Sequence, residues 1–169
     1  MEDVSWQDCE KFLSLMNSRI SSAVKAQSFS RSGAFVLPHE DEWEYACRGG
    51  KGNSHAFYFG SQLNGTQANM NGLMPYGTKT AGPTLGRTCE AGSYAKSFPH
   101  PWGLCDMHGN VWEFCTSRLP RPLNSDGRVI RGGCYMEPGA GCRSAHRHFP
   151  APQTVRYMNI GFRACFRPD

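Results

Sequence analysis

Read by the positions of its apolar residues, the chain opens with a helix. Trp6, Cys9, Phe12, Leu13 and Met16 recur at helical spacing and should share one buried face. Ser5 stands where an N-cap belongs and Asp8 completes a capping box, so the helix is expected to run from there to about Ser18. Ser21 to Ser32 is small and polar and reads as a connector. Phe35, Val36 and Leu37 form a short extended run that Pro38 interrupts, because proline has no amide proton to give to a ladder. Glu40, Asp41 and Glu42 then place negative charge at the first turn of a second helix, where unpaired amides favour it. Trp43, Ala46 and Cys47 supply its buried stripe, and Arg48-Gly49-Gly50 ends it.

Beyond this helix the pattern breaks up. From Gly52 to Tyr94 only Ala56 to Phe59 reads as a strand, while Asn64-Gly65, Asn71-Gly72, Tyr76-Gly77 and Gly82-Pro83 mark turns. So long an irregular section needs a bound cation or dense side-chain hydrogen bonding to hold it. The chain is organised around Pro101 to Cys115. There Trp102, Leu104, Met107, Val111, Trp112 and Phe114 supply a core, and Asp106, His108, Asn110 and Glu113 need partners once that core closes. Asn110 to Phe114 is an expected strand and Arg128 to Gly133 another. Ile160 to Phe166 is a third, in which Ile160, Phe162, Ala164 and Phe166 alternate onto one face. Two helices with several short antiparallel strands define an α+β, irregular and loop-rich domain rather than a doubly wound sheet.

Composition supports that picture. Nineteen glycines and eleven prolines supply the turns, and 39% hydrophobic residues are enough for a core, which argues against disorder. The 169 residues fit one domain. No apolar run approaches the roughly 18 residues that span a bilayer. No secretory leader is visible at Met1, so membrane insertion is not expected and a complete chain would be cytoplasmic. The net charge of +4 comes with arginines gathered from Arg118 to Arg156. They alternate with Gly, Pro and apolar residues and form no basic helix, so an internally paired or solvated set is expected rather than nucleic-acid binding.

Several chemistries compete for the polar residues. Calcium takes about six to eight hard oxygens. Asp106 and Glu113 offer two carboxylates around a glycine-supported bend, with the carbonyls of Gly109 and Val111 close in sequence. A satisfied polar network on the same residues is the alternative. Asn69 is a further oxygen donor in the irregular section. The eight cysteines form no CxxC and no zinc-finger spacing, so mostly buried thiols are expected. Thiol-ligated copper would need two of them brought together; Cys134 and Cys142 are the nearest late pair, with buried, noncatalytic cysteine as the competing reading. Ser144 and His146 are close in sequence, yet no nucleophile elbow accompanies them. Arg143 and Arg147 are expected to pin loops through carboxylates or main-chain carbonyls.

Five ordered blocks carry a resemblance over nearly the whole chain. They are Leu37 to Gly50, Pro101 to Cys115, Arg128 to Gly133, Cys142 to Arg147, and Ile-Gly-Phe-Arg at Ile160 to Arg163. Together they resemble the formylglycine-generating enzyme, or sulfatase-modifying factor, family. The resemblance implies a variant of the C-type lectin-like fold with structural calcium on Asp106, Gly109, Val111 and Glu113. It implies a second calcium site on Asn69 and the carbonyl of Met70, where Pro83 takes the place of an acidic ligand. Family enzymes oxidise a cysteine in an unfolded sulfatase segment to formylglycine, using oxygen and a copper ion on two cysteines. Here Glu137 aligns with the first of those cysteines, and Cys134 and Cys142 are displaced from both positions, so neither is assigned the copper role.

The expected function is therefore a noncatalytic, calcium-stabilised binding or scaffolding domain with a protein or peptide ligand. Its face would carry Tyr135, Met136, Glu137, Arg143, His146, His148, Phe149 and Tyr157. One alternative is a copper-dependent oxidoreductase acting on a sulfatase cysteine or a related thiol. Another is a retroelement-diversified ligand-binding protein, a type that resembles this family over Arg131 to Arg163. Family domains usually begin with a glycine-rich strand region, whereas this chain starts almost at Val4-Ser5-Trp6. An N-terminally incomplete domain is expected, completed by a partner segment or by homo-oligomer formation.

Overall fold

Ser5 and Asp8 close the expected capping box. The Ser5 amide and hydroxyl donate to Asp8 Oδ2, and the Asp8 amide donates to Ser5 Oγ. The computed structural model describes residues 2–24, 32–118, 127–148 and 151–169. The first helix, α1 (Trp6–Val24), continues well past Ser18, because no glycine or proline stops it there. Cys9 and Leu13 are buried as expected. Phe12 is not: it is 43% exposed and meets Phe162 edge-on, with ring centroids 5.6 Å apart. Residues 25–31 of the expected connector lie outside the described residues.

A strand, β1 (Gly33–Val36), leads into α2 (Glu40–Cys47). His39 caps α2: its Nδ1 accepts from the Asp41 amide, while the Glu42 carboxylate accepts from the His39 amide. Trp43 and Cys47 are fully buried, and Ala46 is only half-buried. Gly49 takes the positive φ of 71° that ends the helix.

The remaining strands are β2 (Trp112–Phe114), β3 (Gly127–Arg128), β4 (Ile130–Arg131), β5 (Ala151–Pro152), β6 (Ile160–Phe162) and β7 (Cys165–Pro168). Three of them form the central sheet in the order β4-β2-β6. Its β2–β4 pair is antiparallel, but β2 and β6 run parallel with Trp112 opposite Ile160, so the strands are mixed rather than all antiparallel. The β1–β7 and β3–β5 pairs are antiparallel and lie in separate sheets.

Three expected strands are shortened or split, and a fourth does not form. The strand at Asn110 begins only at Trp112, since Asn110 adopts a left-handed φ of 64°. Arg128 to Gly133 splits at Val129 between two sheets and stops at Arg131, since Gly132 and Gly133 take positive φ of 96° and 81°. Ile160 to Phe166 also splits, leaving Ala164 exposed and Phe166 packed on Phe35, so the single apolar face is not formed. Ala56 to Phe59 makes no strand; Phe57 and Gly60 exchange backbone bonds of 2.9 and 3.1 Å in a tight turn.

Three apolar clusters fill the interior. One joins Cys9 and Leu13 to Trp112, Phe114, Ile130 and Ile160. The second centres on Trp43, Met107 and Val129, the third on Phe57, Leu63 and Met70. Trp102 is not in the core: it is 50% exposed, tilted against Tyr45. Side-chain amides hold the irregular section, as when Asn53 donates to the Arg48 and Tyr58 carbonyls and Asn64 to the Thr80 carbonyl.

His108 stitches the third cluster to the Pro101–Cys115 segment. The Tyr58 amide donates to its Nε2 at 3.1 Å, so its Nδ1 carries the hydrogen and donates to the Cys142 carbonyl at 2.8 Å. Burial pushes its pKa down from 6.5 to about 3. The unfolded chain therefore takes up a proton that the folded chain refuses between those values. The stability this neutral ring contributes is fully present above about pH 6.5 and falls as pH drops towards about 3, by up to about 1.4 kcal/mol per unit. Denaturant unfolding at about pH 7 and about pH 5 should show a larger loss in the wild type than in His108→Gln. Equal losses would contradict the assignment.

Candidate functional site

The three strands of the central sheet present one residue each to a common cleft. Trp112 from β2, Ile130 from β4 and Ile160 from β6 form its floor, and β5 adds Ala151 and Pro152. Glu137, His148, Tyr157 and Asn159 complete a cavity of about 300 Å³. A second void, beside Tyr58, Asp106 and His108, measures only about 10 Å³, the space of one water. The larger cleft is where a ligand has room.

Local backbone bonds hold each wall. The Trp112 amide donates to the Asn159 carbonyl at 2.8 Å, locking floor to wall. Asn159 Nδ2 donates to Cys134 Sγ at 3.5 Å. The Tyr157 carbonyl accepts from the Ile160 amide at 3.1 Å and from the Asp3 amide at 3.2 Å. Trp112 packs against the His148 ring, with centroids 4.8 Å apart, and against His146 at 5.8 Å. The Glu137 amide donates to the Cys134 carbonyl, and the Glu137 carbonyl accepts from Asn71, both at 3.0 Å.

The expected binding face is thus gathered only in part. Glu137, His148 and Tyr157 line the cleft, and His146 backs it through Trp112. Tyr135 is a correction, being buried at 6% exposure and so no part of a surface. Met136 is exposed but does not line the cleft. Arg143 is also displaced: its guanidinium lies over Tyr76 and donates to the Ala140 carbonyl, pinning a loop as expected of it. Arg147 does the same by pairing with Glu40. Phe149 lies outside the described residues. Trp112, Asn159, Ile130 and Ile160 were not expected here, because a tryptophan or isoleucine in an apolar run reads as core until strand register is known.

Glu113 does not fit a calcium ligand. Arg163 donates to both of its oxygens, at 2.7 and 2.9 Å, and Trp43 Nε1 adds a third bond at 2.7 Å. A guanidinium across both oxygens takes the charge that a cation would need. The same charge holds the Arg163 pKa above its usual value. Asp106 accepts from the Gly92 amide at 2.7 Å, and burial raises its pKa. Gly109 takes a φ of 78° with its amide on the Gly132 carbonyl, and Val111 is half-buried. Asn69 differs. Its Nδ2 donates to Arg87 and Asn110, but its Oδ1 is buried with no partner among the described residues, as a hard-cation ligand would be. Met70 follows it with a fully buried side chain.

Copper fits worse. Cys134 and Cys142 are fully buried in different apolar clusters, and burial raises both thiol pKa values, opposing the thiolates that copper binds. Neither lines the cleft. All eight cysteines are free. Among the described residues no three His, Cys, Asp or Glu side chains are grouped to hold a metal ion.

Two helices, short mixed strands and long bonded loops around a cleft define an α+β domain whose site is carried by loops and strand ends. The profile of the sulfatase-modifying factor enzyme 1-like domain matches residues 1–167, and the chain belongs to that family. It is 35% identical over 150 residues to the inactive C-alpha-formylglycine-generating enzyme 2 of Mus musculus, covering 80% of this chain and 46% of that protein. It is 32% identical over 164 residues to the formylglycine-generating enzyme of Streptomyces coelicolor, covering 85% and 50%. The chain spans about half the length of these two relatives. Among solved structures, PvdO from Pseudomonas aeruginosa shares the fold at a TM-score of 0.66 and 23% identity, over 96% of this chain and 60% of that one. No described helix is long and apolar enough to cross a membrane.

Removing one partner of the buried pair leaves the other charge uncompensated. Arg163→Ala should therefore cost about 3–5 kcal/mol in chemical denaturation. A loss below about 1 kcal/mol would show that Glu113 does not depend on it.

Proposed function

We propose that this chain is a noncatalytic binding domain of the formylglycine-generating enzyme family, with its ligand in the cleft over the central sheet. One observation carries the reading. Glu137, aligned with the first copper-binding cysteine of the resemblance, lines the open cleft, while Cys134 and Cys142 are sealed in apolar clusters. A carboxylate and two protonated, buried thiols are poor ligands for a soft metal ion. The cleft volume is at the lower end of small-molecule sites, about 300–1,000 Å³, and also suits one or two side chains of a peptide or protein ligand.

Likeness to a mouse protein named as inactive supports this reading, and likeness to the Streptomyces coelicolor enzyme supports the competing one, copper-dependent oxidation of a sulfatase cysteine. Copper titration together with a cysteine-containing sulfatase peptide separates them. The expected result is no stoichiometric, thiol-dependent copper binding and no oxygen-dependent aldehyde. Both signals from the folded protein would overturn the binding-domain reading.

Calcium enters the reading at Asn69 rather than at Glu113. The unpartnered Asn69 Oδ1 supports a structural ion held there with the Met70 carbonyl. An ion bound only by the folded chain stabilises it by linkage, so added calcium should raise the thermal midpoint by several degrees and a chelator should reverse the gain. A midpoint indifferent to both would remove calcium from the account.

A further inference from the structure

We infer that the cleft takes an organic cation: an ammonium or guanidinium head on a free small molecule or on one basic side chain of a peptide. This deepens, and rests on, the reading of the cleft as a ligand site.

The first observation is how the carboxylates are answered, since those without a partner among the described residues are otherwise on exposed residues. Glu40 pairs with Arg147, Glu44 with Arg48 and Arg131, Glu113 with Arg163, Asp8 with Arg156, and Glu42 with Arg167. Asp106 has the Gly92 amide. The Glu137 carboxylate has neither an ion pair nor a hydrogen bond among the described residues, although its backbone is tied on both sides. Gly141 makes room for it, since a Cβ there would stand 2.7 Å from Glu137 Oε2.

The second observation is what faces that carboxylate. No lysine or arginine is among the cleft's described lining residues, and His148 is their one basic side chain. Tyr157, 43% exposed, and the half-buried His148 offer rings, above an apolar floor in which Trp112, Ile130, Ile160 and Ala151 are almost wholly buried. Asn159 spends its amide nitrogen on Cys134 Sγ, which leaves its oxygen to accept from a ligand. An anionic ligand would meet the Glu137 charge head on. A neutral apolar ligand would bury that charge without a partner. A cation with an apolar body satisfies all three features, with the head on the carboxylate and beside the Tyr157 and His148 rings, and the body over the apolar floor.

The test is calorimetric titration of the folded full chain with choline and N-acetylarginine amide. Their neutral counterparts, 3,3-dimethylbutanol and N-acetylcitrulline amide, serve as controls. At least one cation should bind at least about tenfold more tightly than its neutral counterpart. Glu137→Gln should weaken that binding by about tenfold or more with the unfolding midpoint unchanged, and Gly141→Ala should weaken it by displacing the carboxylate without removing its charge. Choline binding alone identifies a free small-molecule cation; arginine amide binding alone identifies a basic side chain; binding of both supports the shared chemistry. No binding of either cation at about 10 mM, equal binding of the neutral partners, or an unaffected Glu137→Gln overturns the inference. Such a failure leaves the binding-domain reading standing, which falls instead on copper uptake and aldehyde formation.

Discussion

A carboxylate removed from water needs compensating charge, and much of this fold is arranged around the compensation of Glu113. Arg163 spans both of its oxygens and also donates to the Cys105 carbonyl at 2.7 Å. Trp43 adds its indole nitrogen from α2. Four segments that share little regular structure are thereby joined: the second helix, the central strand, the loop before it and the chain end that follows β6. Backbone pairing places Glu113 opposite both Arg131 and Gly161, so the charge cluster sits on the middle strand of the sheet. Hydrophobic burial alone would not choose that register. The need to meet a buried charge does, because each alternative leaves an ion unpaired.

The same strand then builds the cleft. Successive side chains of a strand point to opposite faces. Glu113 meets Trp43 on one side of β2, while Trp112 and Phe114 join Cys9, Leu13, Ile130 and Ile160 on the other. Trp112 consequently serves both the apolar cluster and the floor of the cavity. A fold tightened from one face can hold an open cleft on its other face without collapse. The loop that carries Asn159 hangs from that strand through the Trp112 amide, while the Glu137 backbone is tied to Cys134 and Asn71.

Charge is distributed with the same economy. The arginines of the second half are largely spent inside the protein: Arg131 and Arg147 on α2, Arg163 on Glu113, and Arg128 over the Trp6 ring at 3.9 Å. This accounts for a basic sequence whose described cleft lining carries neither lysine nor arginine. It also leaves Glu137 as the one carboxylate among the cleft's described lining residues. Family membership by itself assigns no activity, since chemistry resides in particular side chains. Here Cys134 and Cys142 are buried in apolar clusters.

Much of the architecture was legible in the sequence wherever the deciding interactions are local. The Ser5–Asp8 capping box, the acidic start and glycine stop of α2, and the loop-rich α+β class follow from groups within a few residues of one another. The arginine anchors were also foreseeable as a kind of interaction, though their carboxylate partners were not. Phe12 and Trp102 read as core because an apolar side chain carries no label for what covers it, and the solvent-facing side of a packed element emerges only on assembly. The parallel β2–β6 pair, the splitting of two apparent strands and the capture of Glu113 by Arg163 all depend on contacts across long stretches of chain. The sequence by itself determined which residues needed burial and which needed partners. Tertiary structure decided which met which, and so set Arg163 across the Glu113 carboxylate and left Glu137 lining the cleft, because pairing between distant charges is settled by three-dimensional register rather than by spacing.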